Sequence, residues 1–311
     1  MKAAYITKPG PYDSIQVGEI PTPVPGPHDL LVAISFSAIN PIDLYIRSGT
    51  VVTTLPNPFV MHADFSGTVA ATGSEVTRFK VGDKIWGSNQ GMLGKQGTCA
   101  EYAVIHEDWA YPLPTKVSPI DAVAAALTGI TAHLGLFRFG ELQAGETVFV
   151  HGGTGGVGSM VVQMAKQHGC RVITTVGSAQ KAQLCRDWGA DLVLLYRQDD
   201  ISSRINDFTR NHGVDVWFET QRNPDFEQIL PLMKLRGRII VIAGRAARPP
   251  LPFGIFYPRD LSVRGFAMFN ASPDEQRNAA LDINYWLSSG CLHPVVGATF
   301  TLDQTAYPAR S

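Results

Sequence analysis

Net charge, clustered cysteines and long apolar runs are all scarce in this sequence, and each shortage removes a class of protein. The chain has 26 Lys and Arg against 27 Asp and Glu, so its formal net charge of −1 offers no attraction to nucleic acid or to an anionic membrane. No apolar run approaches the roughly 18 residues that a membrane span needs. The opening MKAAYI alternates like a strand and lacks the apolar core of a secretory signal. We therefore expect a cytoplasmic protein with neither a membrane nor a nucleic acid as its partner.

Cysteine is used sparsely, at Cys99, Cys170, Cys185 and Cys291. These residues form no C-x-x-C pair, and no histidine pair lies near them at the spacing of a zinc finger. Four scattered cysteines in a chain of 311 residues are typical of small buried hydrophobic side chains. The sequence therefore predicts inert thiols and excludes a disulfide framework.

Two patterns of apolar residues divide the chain. With 45% hydrophobic and 17% charged residues, the sequence suits a compact protein of two domains. The first 120 residues or so contain short strand-like runs separated by Pro- and Gly-rich turns, with little helical periodicity, which predicts a β-rich domain. A helix over 273–287 and a strand over 294–300 are expected to return to this domain.

The middle of the chain alternates apolar runs with helical stretches. The runs lie at Thr147–Val150 and at 171–176, 192–196, 214–218 and 238–243, with a sixth at 261–266. Continuous apolar strands are typical of a parallel sheet that is covered on both faces. We therefore predict an α/β protein whose centre is a doubly wound parallel sheet.

A glycine motif, G-T-G-G-V-G over residues 153–158, follows the first apolar run and opens a helical stretch that ends at Gly169. A strand, a glycine turn and a helix in this order are the context in which such a motif binds a dinucleotide. The glycines let the backbone approach the pyrophosphate, and the helix start offers unpaired N–H groups. The residues predicted to hold the pyrophosphate are Gly153, Gly155, Gly156, Val157 and Gly158.

The end of the second strand favours NADPH over NADH. An NAD site usually has Asp or Glu at this point to bind the ribose 2′-hydroxyl, but this chain has Val-Gly-Ser at 176–178. Ser178 can donate a hydrogen bond to a 2′-phosphate, and Lys181 can supply positive charge. Tyr196, at the end of the third strand, adds a hydroxyl group. These three residues are the predicted 2′-phosphate site, and NADPH is the predicted cofactor.

The motifs together resemble a known family. The matching segments are 38–49, 63–69, 79–85, 127–132, the glycine motif and 237–242, and they run in the family's order. The chain resembles the zinc-independent, zeta-crystallin-like quinone oxidoreductase branch of the medium-chain dehydrogenase/reductase superfamily. The resemblance implies a GroES-like β-barrel catalytic domain, a Rossmann NADPH-binding domain and an active site in the cleft between them.

The resemblance also implies boundaries and an assembly. We expect the catalytic domain over 1–122, the Rossmann domain over 123–264 and a return to the catalytic domain over 265–311. Because members of this family continue through a further helix and strand, the C-terminal part of the catalytic domain is expected to be truncated. A homodimer formed through the edge of the Rossmann sheet is expected.

Several site residues are implied by position in the family. Asn40 and Tyr45 are the candidate catalytic residues, as hydrogen-bond donors to the acceptor, and Asn40 also adjoins the cofactor; Tyr45 or water would donate the proton. The residues expected around the nicotinamide are Thr128, Ile242, Ala243, Gly244, Phe266 and Met268. The chain departs from the family's small residues at 221–223, where it has Gln-Arg-Asn, and at Arg245.

Zinc ligands are missing from the positions where zinc-dependent relatives carry them. Those positions hold Asn40, Ala63 and Asp64 here. His62 lies one residue early, and a shift of one residue turns a strand side chain to the opposite face. Three ligands for a catalytic zinc cannot be assembled, so we predict no metal. His62 is expected to be a packing histidine in a turn where the family usually has glycine.

The leading hypothesis is an NADPH-dependent quinone or enone oxidoreductase that transfers a hydride to a small-molecule acceptor without zinc. One alternative is an enoyl-thioester reductase of the same superfamily, which a basic groove for a coenzyme A arm would favour; no such groove is evident in the sequence. Another is a catalytically inactive, crystallin-like protein that binds NADPH. The identity of the acceptor does not follow from the sequence.

Overall fold

The structure is a computed structural model that describes residues 1–306. The chain divides into two compact units. Within the described residues, the first unit comprises 1–127, 272–288 and the residues from Val295 onward, and the second comprises 128–271 and 289–294. The sequence-based boundaries at 122 and 264 lie a few residues before these divisions.

Strands and helices are named in chain order. The strands of the described chain are β1 (Lys2–Ile6), β2 (Gln16–Glu19), β3 (Asp29–Phe36), β4 (Phe59–Val60), β5 (Phe65–Thr72), β6 (Lys84–Gly87), β7 (Tyr102–His106), β8 (Ala110–Pro112), β9 (Thr147–Val150), β10 (Arg171–Val176), β11 (Leu192–Leu195), β12 (Val214–Glu219), β13 (Met233–Val241) and β14 (Ser262–Gly265). The α-helices are α1 (Pro41–Arg47), α2 (Pro119–Ala124), α3 (Ala126–His133), α4 (Gly156–Gln167), α5 (Ala179–Asp187), α6 (Ile201–Thr209), α7 (Phe226–Ile229), α8 (Phe253–Phe256) and α9 (Pro273–Ser288).

The first unit is built from antiparallel strands, as the sequence predicted. Over the described residues, one sheet has the order β2-β1-β4 and the other has the order β7-β3-β5-β6-β8. In β3 the buried Leu30 and Val32 point to the core and pair with Ile105 and Ala103 of β7. Their alternation with less buried neighbours is the pattern of a sheet that buries one face.

The second unit is a doubly wound parallel sheet, so the predicted fold class is confirmed. Its described strands have the order β11-β10-β9-β12-β13-β14 and all pair in parallel. Every residue of β9 and β12 is buried, which explains why these strands appear in the sequence as continuous apolar runs. The strand order reverses between β9 and β12, and open α/β sheets bind ligands at the carboxyl ends of the strands beside such a reversal.

Helix α4 follows β9 and covers the sheet with an apolar face. Met160, Val161, Met164 and Ala165 are buried, as their helical spacing predicted. Gly169 has φ +80°, a left-handed conformation that glycine adopts without strain and that ends the helix. This placement holds the glycine turn between a buried strand and a packed helix.

The predicted strand over 294–300 is wrong. The structure has no strand in this segment, and Val295, Val296 and Phe300 are exposed. Alternating apolar residues favour a strand only where another strand offers its backbone groups, and the sequence pattern does not reveal whether one is present. The helix predicted over 273–287 is confirmed as α9.

The thiols agree with the sequence prediction. All four cysteines are free, and Cys99, Cys170 and Cys185 are buried. Burial raises the pKa of Cys99 to about 12 and that of Cys170 to about 11. These thiols therefore stay protonated at neutral pH. Across residues 1–306, no helix combines the length and the apolar character that crossing a membrane requires.

Candidate functional site

The glycine turn after β9 accepts no side chain at its tightest points. Gly152 has φ +68°. A Cβ atom at Gly153 would lie 2.2 Å from Thr174 Oγ1, and one at Gly158 would lie 2.2 Å from the carbonyl oxygen of Gly152. Side chains at these positions would push the turn away from the sheet. The glycines of the motif therefore lie where neighbouring atoms leave no room for a side chain.

The start of α4 presents its backbone N–H groups outward. The residue before the helix, Gly155, provides no side-chain cap, so the N–H groups of the first turn have no partner from that side chain. Gly155 and Gly156 are exposed. A Cβ atom at Gly156 would lie 3.0 Å from Thr128 Cγ2, which places Thr128 beside this turn. Such a cradle of amides fits a pyrophosphate.

The ends of β10 and β11 bring the predicted 2′-phosphate residues together. Val176 pairs with Leu195, so the residues that follow the two strands are neighbours. Ser178 Oγ accepts a hydrogen bond from the Lys181 backbone N–H at 3.3 Å and caps α5, which leaves the hydroxyl proton available for a ligand. A Cβ atom at Gly177 would lie 3.0 Å from the Tyr196 hydroxyl oxygen.

Arg197 joins this group, and the sequence analysis missed it. Its guanidinium carbon lies 5.6 Å from the centroid of the Tyr196 ring, and both side chains are exposed. The position of Arg197 directly after Tyr196 is the sequence feature that could have identified it as part of the 2′-phosphate site. The cluster of Ser178, Lys181, Tyr196 and Arg197 has hydroxyl donors and two cations and includes no carboxylate.

The residues predicted around the nicotinamide follow β13 and β14 at the same edge of the sheet. Ile242, Ala243 and Gly244 are half-buried and come directly after β13. Phe266 follows β14, and its ring stacks on Phe139 with centroids 4.5 Å apart. Met268 is buried. In the strand order of the sheet, β13 and β14 lie on one side of β9, and β10 and β11 lie on the other side.

A buried carboxyl group connects the ends of β9 and β12. Glu219 Oε2 lies 2.8 Å from His151 Nδ1 and accepts a hydrogen bond from Trp217 Nε1 at 3.1 Å. Glu219 Oε1 accepts from the Gln221 backbone N–H at 2.8 Å. Glu219 therefore has a structural role at this edge of the sheet. His151 directly precedes the glycine turn, so this contact fixes the point where the turn begins.

Asn40 is held at the start of α1 in the first unit. Its backbone N–H donates to Asp43 Oδ2 at 2.7 Å, so Asp43 anchors the local structure. Its side-chain Nδ2 donates to Asp64 Oδ2 at 2.7 Å, and Asn40 and Asp64 are both buried. One N–H of the Asn40 amide remains for another acceptor. Tyr45 lies further along α1 and is half-buried.

Asp64 is a buried acid with an unusual environment. Burial raises its pKa to about 7, and hydrogen bonds such as that from the Asn40 amide oppose the rise. Its Oδ1 atom is buried and has no hydrogen-bond partner within residues 1–306. Its backbone carbonyl accepts a hydrogen bond from Thr98 Oγ1 at 2.6 Å. The sequence analysis did not identify Asp64 as the partner of Asn40.

His62 is a turn histidine, as predicted. It has φ +74°, the left-handed conformation that the family's glycine would adopt with less strain. Its Nδ1 lies 2.9 Å from Ser37 Oγ, which in turn lies 3.0 Å from Thr98 Oγ1. Because the Thr98 proton points to the Asp64 carbonyl, Ser37 donates to Thr98 and His62 Nδ1–H donates to Ser37. Burial lowers the pKa of His62 to about 4, so the ring is neutral.

Over the described part of the chain, no three His, Cys, Asp or Glu side chains come together in a group that could hold a metal ion. His62 and Asp64, which lie next to and at the positions of the family's zinc ligands, are engaged in the contacts just described. Ser37 Oγ contacts His62 Nδ1, and the Asn40 amide donates to Asp64 Oδ2. The absence of zinc stays a prediction.

Comparisons with known proteins agree with this geometry. The alcohol dehydrogenase GroES-like domain family matches residues 26–115, and the zinc-binding dehydrogenase family matches residues 156–283. The chain is 28% identical to quinone oxidoreductase of Homo sapiens over 288 residues, which are 93% of this chain and 86% of that protein. It is 29% identical over 258 residues to a mycocerosic acid synthase-like polyketide synthase of Mycolicibacterium smegmatis, covering 83% of this chain and 12% of that protein.

A comparison with solved structures also finds similarity to a quinone oxidoreductase. The solved structure of Escherichia coli quinone oxidoreductase complexed with NADPH matches with a TM-score of 0.82 at 27% identity, covering 96% of this chain and 91% of that one. The glycine turn and the GroES-like and Rossmann folds define an oxidoreductase with a nicotinamide cofactor. The chain belongs to the quinone oxidoreductase branch of the medium-chain dehydrogenase/reductase superfamily, as the sequence predicted.

Proposed function

We propose that this protein is an NADPH-dependent reductase of quinones and α,β-unsaturated carbonyl compounds that works without zinc. The observation that carries the proposal is the glycine turn at Gly153–Gly158, whose steric limits and outward N–H groups fit a pyrophosphate. The similarity to quinone oxidoreductases supports the choice of acceptor.

The preference for NADPH rests on the cluster at the ends of β10 and β11. A 2′-phosphate bears negative charge and accepts hydrogen bonds, and Lys181 and Arg197 offer charge while Ser178 and Tyr196 offer hydroxyl protons. The ribose of NADH has only a hydroxyl group there and would gain little from two cations. A carboxylate, which would bind that hydroxyl group and repel a phosphate, is missing from residues 176–178.

The chain's own residues then position and polarise the acceptor. When bound, the reduced nicotinamide supplies the hydride. The free N–H of the Asn40 amide donates to the acceptor oxygen on which negative charge develops, and the Asp64 carboxyl group fixes the direction of that amide. Tyr45 or water donates the proton that completes the reduction. Thr128, beside the glycine turn, helps to hold the nicotinamide ring.

The residue types support zinc independence. An alkyl side chain at Ala63 donates no electron pair to a metal, and the Asn40 amide is already bonded to Asp64. A catalytic zinc needs three protein ligands at tetrahedral geometry. The reaction needs no Lewis acid if a positioned amide N–H stabilises the developing oxyanion.

The test is a screen of cofactor oxidation against para-benzoquinone, small enones and enoyl thioesters, with NADPH and NADH in parallel. We expect turnover with NADPH, at least tenfold lower efficiency with NADH, and full activity after exhaustive chelation. Turnover that is lost on chelation and restored by zinc would disprove the metal-free mechanism. Cofactor binding without reduction of any acceptor would favour the inactive, crystallin-like alternative.

We also propose a homodimer formed through β14. This strand is the outermost of the six described strands in its sheet and pairs only with β13 on one side. An edge strand presents unpaired backbone groups to which a second copy can add. Light scattering coupled to size-exclusion chromatography would give twice the chain mass of 33.7 kDa, whereas a monomer would disprove this assembly.

A further inference from the structure

Two loops at the carboxyl ends of β12 and β13 bring three arginines into one region of the second unit. Arg222 follows β12, and Arg245 and Arg248 follow β13. A Cβ atom at Gly244 would lie 2.7 Å from the Arg222 carbonyl oxygen, so the two loops are in contact. The Ala247 N–H donates to the Gly244 carbonyl at 2.8 Å, which closes a tight turn that carries Arg245 and Arg248.

In this arginine cluster, the positive charges of Arg245 and Arg248 are not neutralised by the acids of the same loops. Both side chains are exposed, as is that of Arg222. Glu219 is buried and is bonded to His151 and Trp217. Asp225 accepts hydrogen bonds from the backbone N–H groups of Glu227 and Gln228 and caps α7. The acidic residues nearest in sequence are thus engaged in holding the fold.

The order of the strands places the cluster beside the reactive end of a bound dinucleotide. The pyrophosphate cradle lies at the end of β9, and the proposed 2′-phosphate residues lie at the ends of β10 and β11. The other half of the cofactor must then extend over β12 and β13, which are on the opposite side of β9. The cofactor's phosphates are therefore held elsewhere, and the arginines adjoin the place where an acceptor meets the nicotinamide.

We propose that Arg245 and Arg248, with Arg222 beside them, bind an oxyanion on the acceptor, so that the preferred substrates are enones or quinones that carry a phosphate or carboxylate group. This inference rests on the proposed function, because it assigns the substrate class of that same reaction. Guanidinium groups form charge-assisted, bidentate hydrogen bonds with both kinds of oxyanion.

A phosphate-bearing acyl thioester belongs to this substrate class. The sequence alone revealed no basic groove, because Arg222 and Arg245 are far apart along the chain. The contact between the two loops brings them together.

The experiment compares acceptors that share one reacting group and differ in charge. The first pair is crotonyl-coenzyme A and the crotonyl thioester of N-acetylcysteamine, and the second is carboxy-para-benzoquinone and para-benzoquinone. We expect kcat/KM to favour an anionic member by about tenfold or more at low ionic strength, and the preference to shrink as salt is added. Preference within the first pair alone identifies phosphate as the ligand, and preference within the second alone identifies carboxylate.

The variant R245Q/R248Q should lose this preference while its kcat/KM for the neutral acceptors stays unchanged. Arg204→Gln, which removes an exposed arginine on α6, is the matched control and should keep the preference. Unchanged NADPH affinity of the double variant would show that it is folded. Equal kcat/KM for charged and neutral acceptors in the unmodified protein, or a preference that survives in R245Q/R248Q, would overturn the inference.

A binding measurement separates this inference from the proposed reaction. Calorimetry with butyryl-coenzyme A, a saturated thioester that cannot be reduced, and the NADP⁺-loaded protein should give a dissociation constant about tenfold weaker for R245Q/R248Q than for R204Q. If no acceptor is reduced but this difference is found, the reductase proposal fails and the anion site stands. If neutral acceptors are reduced and no charge dependence is found, the anion site fails and the reductase proposal stands.

Discussion

The side-chain amide of Asn40 donates a 2.7 Å hydrogen bond to the Asp64 carboxyl group, and both residues are buried. They are 24 positions apart in the sequence, and they directly precede α1 and β5. The contact gives a reason for a buried acid at this position: it sets the direction of an amide that we place at the acceptor. Asp64 is in this sense a positioning residue.

The stability of the protein should depend on pH through Asp64. Burial raises its pKa from 3.8 to about 7, so the folded state binds a proton that the unfolded state releases between these values. The stabilisation is complete below about pH 4 and is lost as the pH rises to about 7, by on the order of 4 kcal/mol. Burial also raises the pKa of Asp43, and the charge of Asp64 adds to this rise.

Chemical denaturation of the unmodified protein and of Asp64→Asn at several pH values measures this effect. The difference in the free energy of unfolding between the two should fall as the pH rises from 4 to 7 and then level off. The exposed Asp13→Asn is the control and should show no such trend. A difference that is constant over this range would show that Asp64 is ionised when folded.

Removing the Asn40 amide should slow the reduction. We expect Asn40→Ala to lower kcat/KM for para-benzoquinone by about a hundredfold, because a donor to the developing oxyanion is lost. The comparison is Leu44→Ala, an exposed position on the same helix, which should stay within about twofold, as surface substitutions usually do. Steady-state kinetics with saturating NADPH distinguish the two. Equal rates for both variants would remove Asn40 from the mechanism.

Adding one methyl group to the glycine turn should weaken cofactor binding. In Gly158→Ala the new Cβ would meet the Gly152 carbonyl oxygen at 2.2 Å, so the turn must move away from the position that holds a pyrophosphate. We expect NADPH affinity to fall by tenfold or more, as for lost charge-assisted hydrogen bonds. In Gly254→Ala, on α8, the Cβ meets nothing within 4 Å, and affinity should be unchanged. Fluorescence of bound NADPH reports both results.

A carboxylate at Ser178 should reverse the cofactor preference. Aspartate caps helices as well as serine does, so Ser178→Asp keeps α5 intact while it places negative charge where we expect the 2′-phosphate. NADPH efficiency should fall about tenfold or more, and NADH efficiency should be equal or higher. Ser178→Asn, which caps without charge, separates repulsion from loss of the hydroxyl group. An unchanged ratio of NADPH to NADH efficiency in Ser178→Asp would contradict the proposed site.

Local features of the fold could be predicted from the sequence, and distant contacts could not. Buried strands such as β9 and β12 have continuous apolar runs, and the glycine turn has a fixed spacing, so both were found. The strand over 294–300 was predicted wrongly because alternation does not show whether a partner strand exists. The residues around Asp64 in the sequence do not reveal that it contacts Asn40. The contact between the loops of Arg222 and Arg245 depends on the order of the strands in the sheet.

The proposed reductase function depends most directly on a dinucleotide held at the glycine turn. Isothermal titration of the unmodified protein with NADPH and with NADH tests this without any assumption about the acceptor. We predict one NADPH per chain, bound at least tenfold more tightly than NADH because two cations and two hydroxyl groups meet its 2′-phosphate. Binding of neither nucleotide would contradict the account.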